Sequence, residues 1–69
     1  MTVVKVMELV GESAKDWQDA VQNAVKEAAR SIPNISGVEV TNWTASVQGG
    51  RVVEYKADVK VAYPSDGGH

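Results

Sequence analysis

The sequence predicts an α+β fold of β-α-β-β order, in which a three-stranded antiparallel sheet wraps around one helix. Three observations carry this prediction. The chain opens with a segment rich in β-branched residues, continues with an alanine-rich segment of helical periodicity, and ends with two strand-like segments separated by a glycine pair. We predict one domain over residues 1–64 and a disordered tail over residues 65–69.

The first segment, TVVKVMELVG, is typical of a β-strand, and we expect Gly11 to end it. Apolar side chains occupy both faces of this strand. One face carries Val4, Val6 and Val10, and the other carries Val3, Met7 and Leu9. A strand that is apolar on both faces must be covered on both.

The second segment predicts an amphipathic helix. Ser13 and Asp16 resemble a capping box, which places the helix start near Ala14. Pro33 disfavours helical geometry in the residue before it, so the helix should end close to Ser31. The predicted apolar stripe contains Trp17, Ala20, Val21, Ala24, Val25, Ala28 and Ile32. Its alanines permit close approach to a sheet.

The remaining segments predict a hairpin. Residues 38–47 form the second strand, residues 48–51 a tight turn and residues 52–63 the third strand. The third strand has one buried and one polar face, and at about 40 Å it extends past the helix that covers it. The apolar residues of the second strand change face midway, which predicts a bulge near Thr41-Asn42.

These features together predict self-association. A chain of 69 residues buries only about 60% of its unfolded surface, and this one has no cysteine with which to form disulfides. The two-faced first strand and the overlong third strand leave apolar surface that the helix cannot cover. We therefore expect copies of the chain to cover it.

Composition argues against several functions. The net charge of −2, with basic residues spread along the chain, argues against nucleic-acid binding. No apolar run approaches the roughly 20 residues of a membrane-spanning helix. No export signal opens the sequence, so a cytoplasmic protein is expected. Catalytic motifs are absent and the one histidine, His69, falls in the predicted tail, so we expect a non-enzyme.

The ordered set of segments resembles the dodecins, small β-α-β-β proteins that assemble as hollow twelve-subunit shells and commonly bind flavins. MELVGES resembles the end of the family's first strand and its helix start, and AVQNAVKEAARSI resembles its alanine-rich helix. VEV and VEYKADVKVAY resemble its last two strands. The resemblance covers residues 3–64 and implies a homododecameric hollow shell with ligand pockets between subunits.

The resemblance also implies a ligand site around Gly37, Glu39, Trp43 and Lys56. In flavin-binding dodecins a tryptophan two residues before the glutamate of the second strand stacks on the isoalloxazine ring, and here that position is Gly37. The family's third strand usually has a glutamine after its aromatic residue, whereas Lys56 follows Tyr55 here. Binding of riboflavin or FMN is therefore expected to be weakened, because stacking contributes about 1 to 3 kcal/mol per contact.

Two tryptophans require interpretation. Trp43 is either a relocated stacking residue or an aromatic packed at a contact between subunits. Trp17 belongs to the helix stripe, where packing is the simpler interpretation.

Glu39 either lines the ligand pocket, pairs with a neighbouring subunit or lies exposed. Glu8 is expected to form an ion pair with Lys60 or Arg51.

Calcium is the alternative ligand, since some dodecin relatives without the stacking tryptophan are described as calcium-binding. The sequence has no EF-hand pattern, so calcium ligands would be assembled across subunits. The candidate carboxylates are Glu12, Asp16, Asp19, Glu39, Glu54 and Asp58. The sequence therefore leaves open a flavin-like ligand, calcium, and a structural shell without a specific ligand.

Overall fold

The computed structural model describes residues 3–65 and has the predicted β-α-β-β order. Its elements are β1 (Val4–Ser13), α1 (Trp17–Ala28), β2 (Gly37–Gln48) and β3 (Arg51–Pro64). The strands form one sheet of order β1-β3-β2 in which both neighbours are antiparallel to the central β3, and α1 packs on one face. The predicted fold class is confirmed.

The core lies between α1 and the central strand. Helix residues Ala20, Ala24 and Ala28 are buried against Ala57, Val59 and Val61 of β3, with Ile32 closing one end. Alanine side chains let the helix approach the sheet closely, as the stripe predicts. The largest fully buried side chains are only Val59 and Val61, so one chain contains a small core.

Strand β1 is longer than the sequence predicts. Gly11 does not end it but lies within it, paired with Ala57 of β3, and the strand continues to Ser13. A Cβ at Gly11 would overlap the carbonyl oxygen of Ala20 and lie 2.9 Å from the Cβ of Ala24. The glycine is needed because the helix backbone crosses the strand at this point, and not as a strand terminator.

The helix start also differs from the prediction. α1 begins at Trp17, and its N-cap is Asp16, whose Oδ1 accepts a hydrogen bond of 2.7 Å from the backbone N–H of Asp19. Ser13 instead ends β1, where its hydroxyl donates to Oδ2 of Asp19 at 2.7 Å and accepts from the N–H of Lys15 at 2.9 Å. The N–H of Asp16 also donates to the Ser13 hydroxyl at 3.5 Å, so one half of the predicted capping box is present, but Ser13 belongs to β1 and Asp16 is the residue that caps α1.

Replacing Asp16 with alanine should destabilise the protein modestly. The change leaves the N–H of Asp19 without its capping acceptor, at a typical cost of about 1 kcal/mol. For a domain of this size that cost corresponds to a melting temperature lower by about 4 to 8 °C. Asp16→Asn retains an accepting oxygen and is the control, so equal melting temperatures for the two variants would contradict the assignment.

The helix ends at Ala28, earlier than the predicted Ser31. Beyond Ala28 the backbone tightens: the N–H of Arg30 donates to Glu27 O, and that of Ser31 to Ala28 O. These bonds between residues three apart satisfy the terminal carbonyls before Pro33.

The predicted hairpin and bulge are both confirmed. Gly49 and Gly50 form the turn with φ of 59° and 76°, values that favour glycine and suit a two-residue hairpin. The register of β2 on β3 shifts between Val40 and Asn42, so Thr41 is the bulged residue. A second shift lies between Ser46 and Val47.

The far end of the hairpin extends beyond the helix, as the length of the third strand predicts. The protomer measures 53 × 19 × 13 Å, and Val47, Val52 and Val53 in this region are 40 to 60% exposed. Within residues 3–65, no helix combines the length and apolar character needed to cross a bilayer. Of the predicted tail, Ser65 donates its N–H to Val3 O, and residues 66–69 lie outside the described residues.

Candidate functional site

The sheet face turned away from α1 carries three of the four predicted ligand-binding residues. We call it the open face. It consists of cross-strand rows, because residues paired in an antiparallel sheet point to the same side. The rows across β1, β3 and β2 are Val6–Ala62–Gly37, Glu8–Lys60–Glu39, Val10–Asp58–Asn42 and Glu12–Lys56–Thr44.

Gly37 provides an unoccupied position on this face. No heavy atom lies within 4 Å of the position that a Cβ would occupy. The backbone of Gly37 does not have the positive φ that would require glycine. Its row neighbours Ala62 and Val6 are small and apolar. The position therefore has backbone geometry and space for a large side chain, or for a ligand lying flat on the sheet.

The adjoining row is charged. Lys60 lies on the central strand between Glu8 and Glu39, each directly opposite it in register. Within one protomer the predicted ion pair between Glu8 and Lys60 is not formed within 4.0 Å, although the two residues are paired in register. Arg51, the alternative partner, is paired with Gln48 at the hairpin end of the sheet and is too far away. Among residues 3–65, the ion pairs within 4.0 Å are Arg30–Glu27 and Lys56–Glu12, and Glu8 forms neither.

Lys56 is already paired within its own chain. Its Nζ lies 4.0 Å from Oε2 of Glu12 on β1, and both side chains are partly exposed. The row also contains Thr44. Lys56 lies six residues along β3 from Ala62, the partner of Gly37, which places it roughly 20 Å from Gly37 along the strand. One protomer does not bring the two residues together.

Trp43 lies on the helix side of the sheet, opposite to the other three. The bulge at Thr41 moves it there, pairing it with Ala57 and not with a residue of the open face. Its ring forms an edge contact with Trp17, with centroids 6.3 Å apart, and Trp17 in turn contacts Tyr55 at 4.8 Å. The three rings make an aromatic cluster beyond the helix start, where Trp43 remains 52% exposed.

Trp17 is further anchored by a hydrogen bond, which predicts a measurable contribution to stability. Its Nε1–H donates to the carbonyl oxygen of Thr44 at 2.8 Å. Trp17→Phe retains an aromatic ring but loses this donor, so we expect a loss of about 1 kcal/mol, or about 4 to 8 °C in melting temperature. Trp43→Phe is the matched control, and an equal loss there would contradict the role of the hydrogen bond.

The predicted calcium ligands are separated in the protomer. Glu12, Asp16 and Asp19 lie near the junction of β1 and α1, whereas Glu39, Glu54 and Asp58 lie on β2 and β3. Within residues 3–65, no group of three or more histidine, cysteine, aspartate or glutamate side chains is placed to hold a metal ion. The six predicted carboxylates therefore do not form a calcium site within one protomer.

Sequence reasoning missed three residues that adjoin the predicted site. Val6 and Ala62 share a row with Gly37, and Glu12 pairs with Lys56. Their relation to the site depends on the register between strands that are distant in sequence. A sequence signal for this register exists in the matching spacing of the two strands, because an antiparallel alignment that pairs opposite charges brings Lys60 opposite Glu8 and Lys56 opposite Glu12.

Topology and open face together define a small β-α-β-β protein with one sheet face left uncovered by its helix. The Dodecin family model matches residues 3–66, and the chain belongs to the dodecin family. Among curated protein sequences, none matches this chain significantly.

Solved dodecin structures agree closely with this protomer. The dodecin of Streptomyces coelicolor is 26% identical with a TM-score of 0.89, covering 94% of this chain and 93% of that one. An alanine variant of the Thermus thermophilus dodecin is 26% identical with a TM-score of 0.90, covering 96% and 98%. A calcium dodecin of Mycobacterium tuberculosis, described as having a novel calcium-binding site, is 27% identical with a TM-score of 0.78, covering 88% and 87%.

Proposed function

We propose that this chain forms a closed, non-catalytic homododecamer of dodecin type that binds or sequesters a small ligand in pockets between subunits. The observation that carries the proposal is the apolar surface one chain leaves exposed. Val4, Val6 and Val10 on the open face are 60%, 57% and 54% exposed, although each is a large hydrophobic residue. Several large apolar side chains exposed along one strand, with Glu8 between Val6 and Val10, are typical of association surfaces that also contain polar residues.

The exposed residues lie in three separate regions, which supports a closed assembly over a simple dimer. One is the valine column of β1, the second is the hairpin end with Val47 and Val52, and the third is the aromatic cluster around Trp43. A single twofold contact buries one self-complementary patch and leaves the others exposed. Several contacts per subunit bury all of them. In this arrangement Trp43 packs at a contact between subunits.

Analytical ultracentrifugation tests the assembly. We expect a species near twelve times the chain mass of 7.4 kDa at micromolar concentration. Val6→Glu adds a charge to the exposed valine column and is expected to dissociate the assembly, whereas Gln22→Glu adds the same charge on the exposed helix surface and is the control. A folded 7.4 kDa particle for the unmodified chain would overturn the proposal.

The ligand site is proposed to be the open face around Gly37 and Glu39, with Lys56 contributed by a neighbouring subunit, because within one chain it lies roughly 20 Å from Gly37. The space at Gly37 and the small residues of its row favour a flat ligand, and riboflavin or FMN is the class that the family suggests. Glycine provides no stacking surface, so affinity should be lower than stacking against a tryptophan gives. Quenching of riboflavin fluorescence measures this binding, and no quenching at millimolar protein would leave a structural shell as the function.

Calcium binding is the second candidate, favoured by the structural likeness to a dodecin with a calcium-binding site. The acidic residues of the open face, such as Glu39 and Asp58, would converge from neighbouring subunits. A ligand that binds only the folded assembly must raise its melting temperature. We therefore expect calcium to raise it and EDTA to reverse the rise if this candidate is correct. Magnesium at the same concentration controls for screening of charge.

A further inference from the structure

The charges of this protein are divided unequally between the two sides of its sheet. The open face carries five carboxylates and two lysines, a formal difference of −3, whereas the entire chain has nine acidic and seven basic residues, a difference of −2. The acidic residues are Glu8, Glu12, Glu39, Glu54 and Asp58, and the basic ones are Lys56 and Lys60. The rest of the chain is therefore slightly positive.

The row-by-row distribution places this charge next to the proposed ligand position. The row of Gly37 is adjacent to the row that contains Lys60 between Glu8 and Glu39, and same-face rows are roughly 7 Å apart. That row has two acids and one base. The next row adds Asp58 with no basic residue in its own row. A ligand on Gly37 therefore lies within a Debye length, about 10 Å at 0.1 M salt, of an acidic surface.

Both lysines of the open face are opposed by acidic residues. Lys56 Nζ lies 4.0 Å from a carboxylate oxygen of Glu12, which offsets its charge for any third group nearby. Lys60 has a carboxylate residue on each side in register. Neither lysine therefore offers an unopposed positive charge to a phosphate.

From this arrangement we propose that the open face selects uncharged planar ligands and rejects phosphate-bearing ones. This inference rests on the proposed function. If the site binds flavins, it distinguishes riboflavin from FMN by repelling the phosphate, whose charge near pH 7 is about −1.5 to −2. Several subunits that turn the same face toward a shared space add their repulsion together.

Titration of riboflavin and FMN by fluorescence quenching tests the proposal on the complete chain. We expect riboflavin to bind at least about tenfold more tightly than FMN near 20 mM salt, and the ratio to fall below about threefold near 500 mM as screening increases. FMN binding equal to or tighter than riboflavin binding at low salt would overturn the inference while leaving the proposed function intact. Binding of neither flavin would overturn the proposed function and, with it, the inference.

Two matched variants separate this face from the net charge of the protein. Glu8→Gln removes one acid from the row next to Gly37 and leaves Lys60 facing only Glu39, so FMN affinity should rise by about fivefold while riboflavin affinity changes little. Glu27→Gln makes the same change on the helix, where Glu27 pairs with Arg30 at 3.2 Å, and should leave the ratio unchanged. An equal gain in FMN affinity in both variants would overturn the inference by showing that the face itself does not discriminate.

Discussion

Replacing Gly37 with tryptophan is expected to raise riboflavin affinity by about 5- to 150-fold. This range converts the roughly 1 to 3 kcal/mol that one aromatic stacking contact contributes. The structure permits the change, because no heavy atom lies within 4 Å of the position of a Cβ at Gly37 and its backbone does not require glycine. The new ring would extend over the small row residues Ala62 and Val6. Dissociation constants from quenching of riboflavin fluorescence measure the effect.

Gly37→Leu distinguishes stacking from added apolar surface. Leucine fills the same space and contributes hydrophobic contact, but it has no aromatic face to stack on a flavin. We expect it to raise affinity by less than about threefold. A leucine variant that binds as tightly as the tryptophan variant would contradict stacking as the cause. Unchanged affinity in the tryptophan variant, with the assembly intact in the ultracentrifuge, would show that the ligand binds elsewhere.

The arrangement of elements could be predicted from the sequence because each segment has its own periodicity. The alanine stripe ending at Ile32, the alternation leading to Val61 and the Gly49-Gly50 turn are all local patterns. The bulge at Thr41 could also be predicted, because a change of apolar face within one strand requires an extra residue. These features could be predicted because each depends on residues that are close together in the sequence.

The predictions that failed concern contacts between distant segments. Gly11 was expected to end a strand because glycine is a weak strand former, but the close approach of Ala20 makes it necessary within the strand. Ser13 and Asp16 were both acceptable N-caps by type. Which one caps the helix depends on where β1 stops pairing with Tyr55, and this is a tertiary effect. Neither outcome is encoded in the neighbouring residues alone.

The candidate site likewise combines features that the sequence alone predicts with features that depend on contacts between strands. The absence of an aromatic at position 37 follows directly from the sequence, whereas the separation of Trp43 from it needed the register on β3. The pairing of Lys56 with Glu12 needed that register as well. In the structure the charge of Lys56 is offset by the carboxylate of Glu12. The proposed ligand pocket lies between subunits, so its lining combines residues that are far apart in one chain, such as Gly37 and Lys56.

Gly11→Ala is expected to destabilise the protein strongly for so small a change. The added methyl group would overlap the carbonyl oxygen of Ala20 and crowd Ala24 at 2.9 Å. The oxygen belongs to helix backbone, so relief requires moving α1 away from the sheet and loosening the alanine packing along its length. We expect a loss of about 3 kcal/mol, at the upper end for overpacking, and a fall of about 12 to 24 °C in melting temperature.

Gly37→Ala is the matched control, because it makes the same chemical change in the same sheet at a position with free space. It should leave the melting temperature unchanged or raise it slightly, since alanine reduces the entropy of the unfolded chain by about 0.4 to 1 kcal/mol. Circular dichroism at low temperature would show whether Gly11→Ala retains its helix. Equal melting temperatures for the two variants would mean that α1 does not approach β1 as closely as the structure has it, and would contradict the close packing of the alanine stripe.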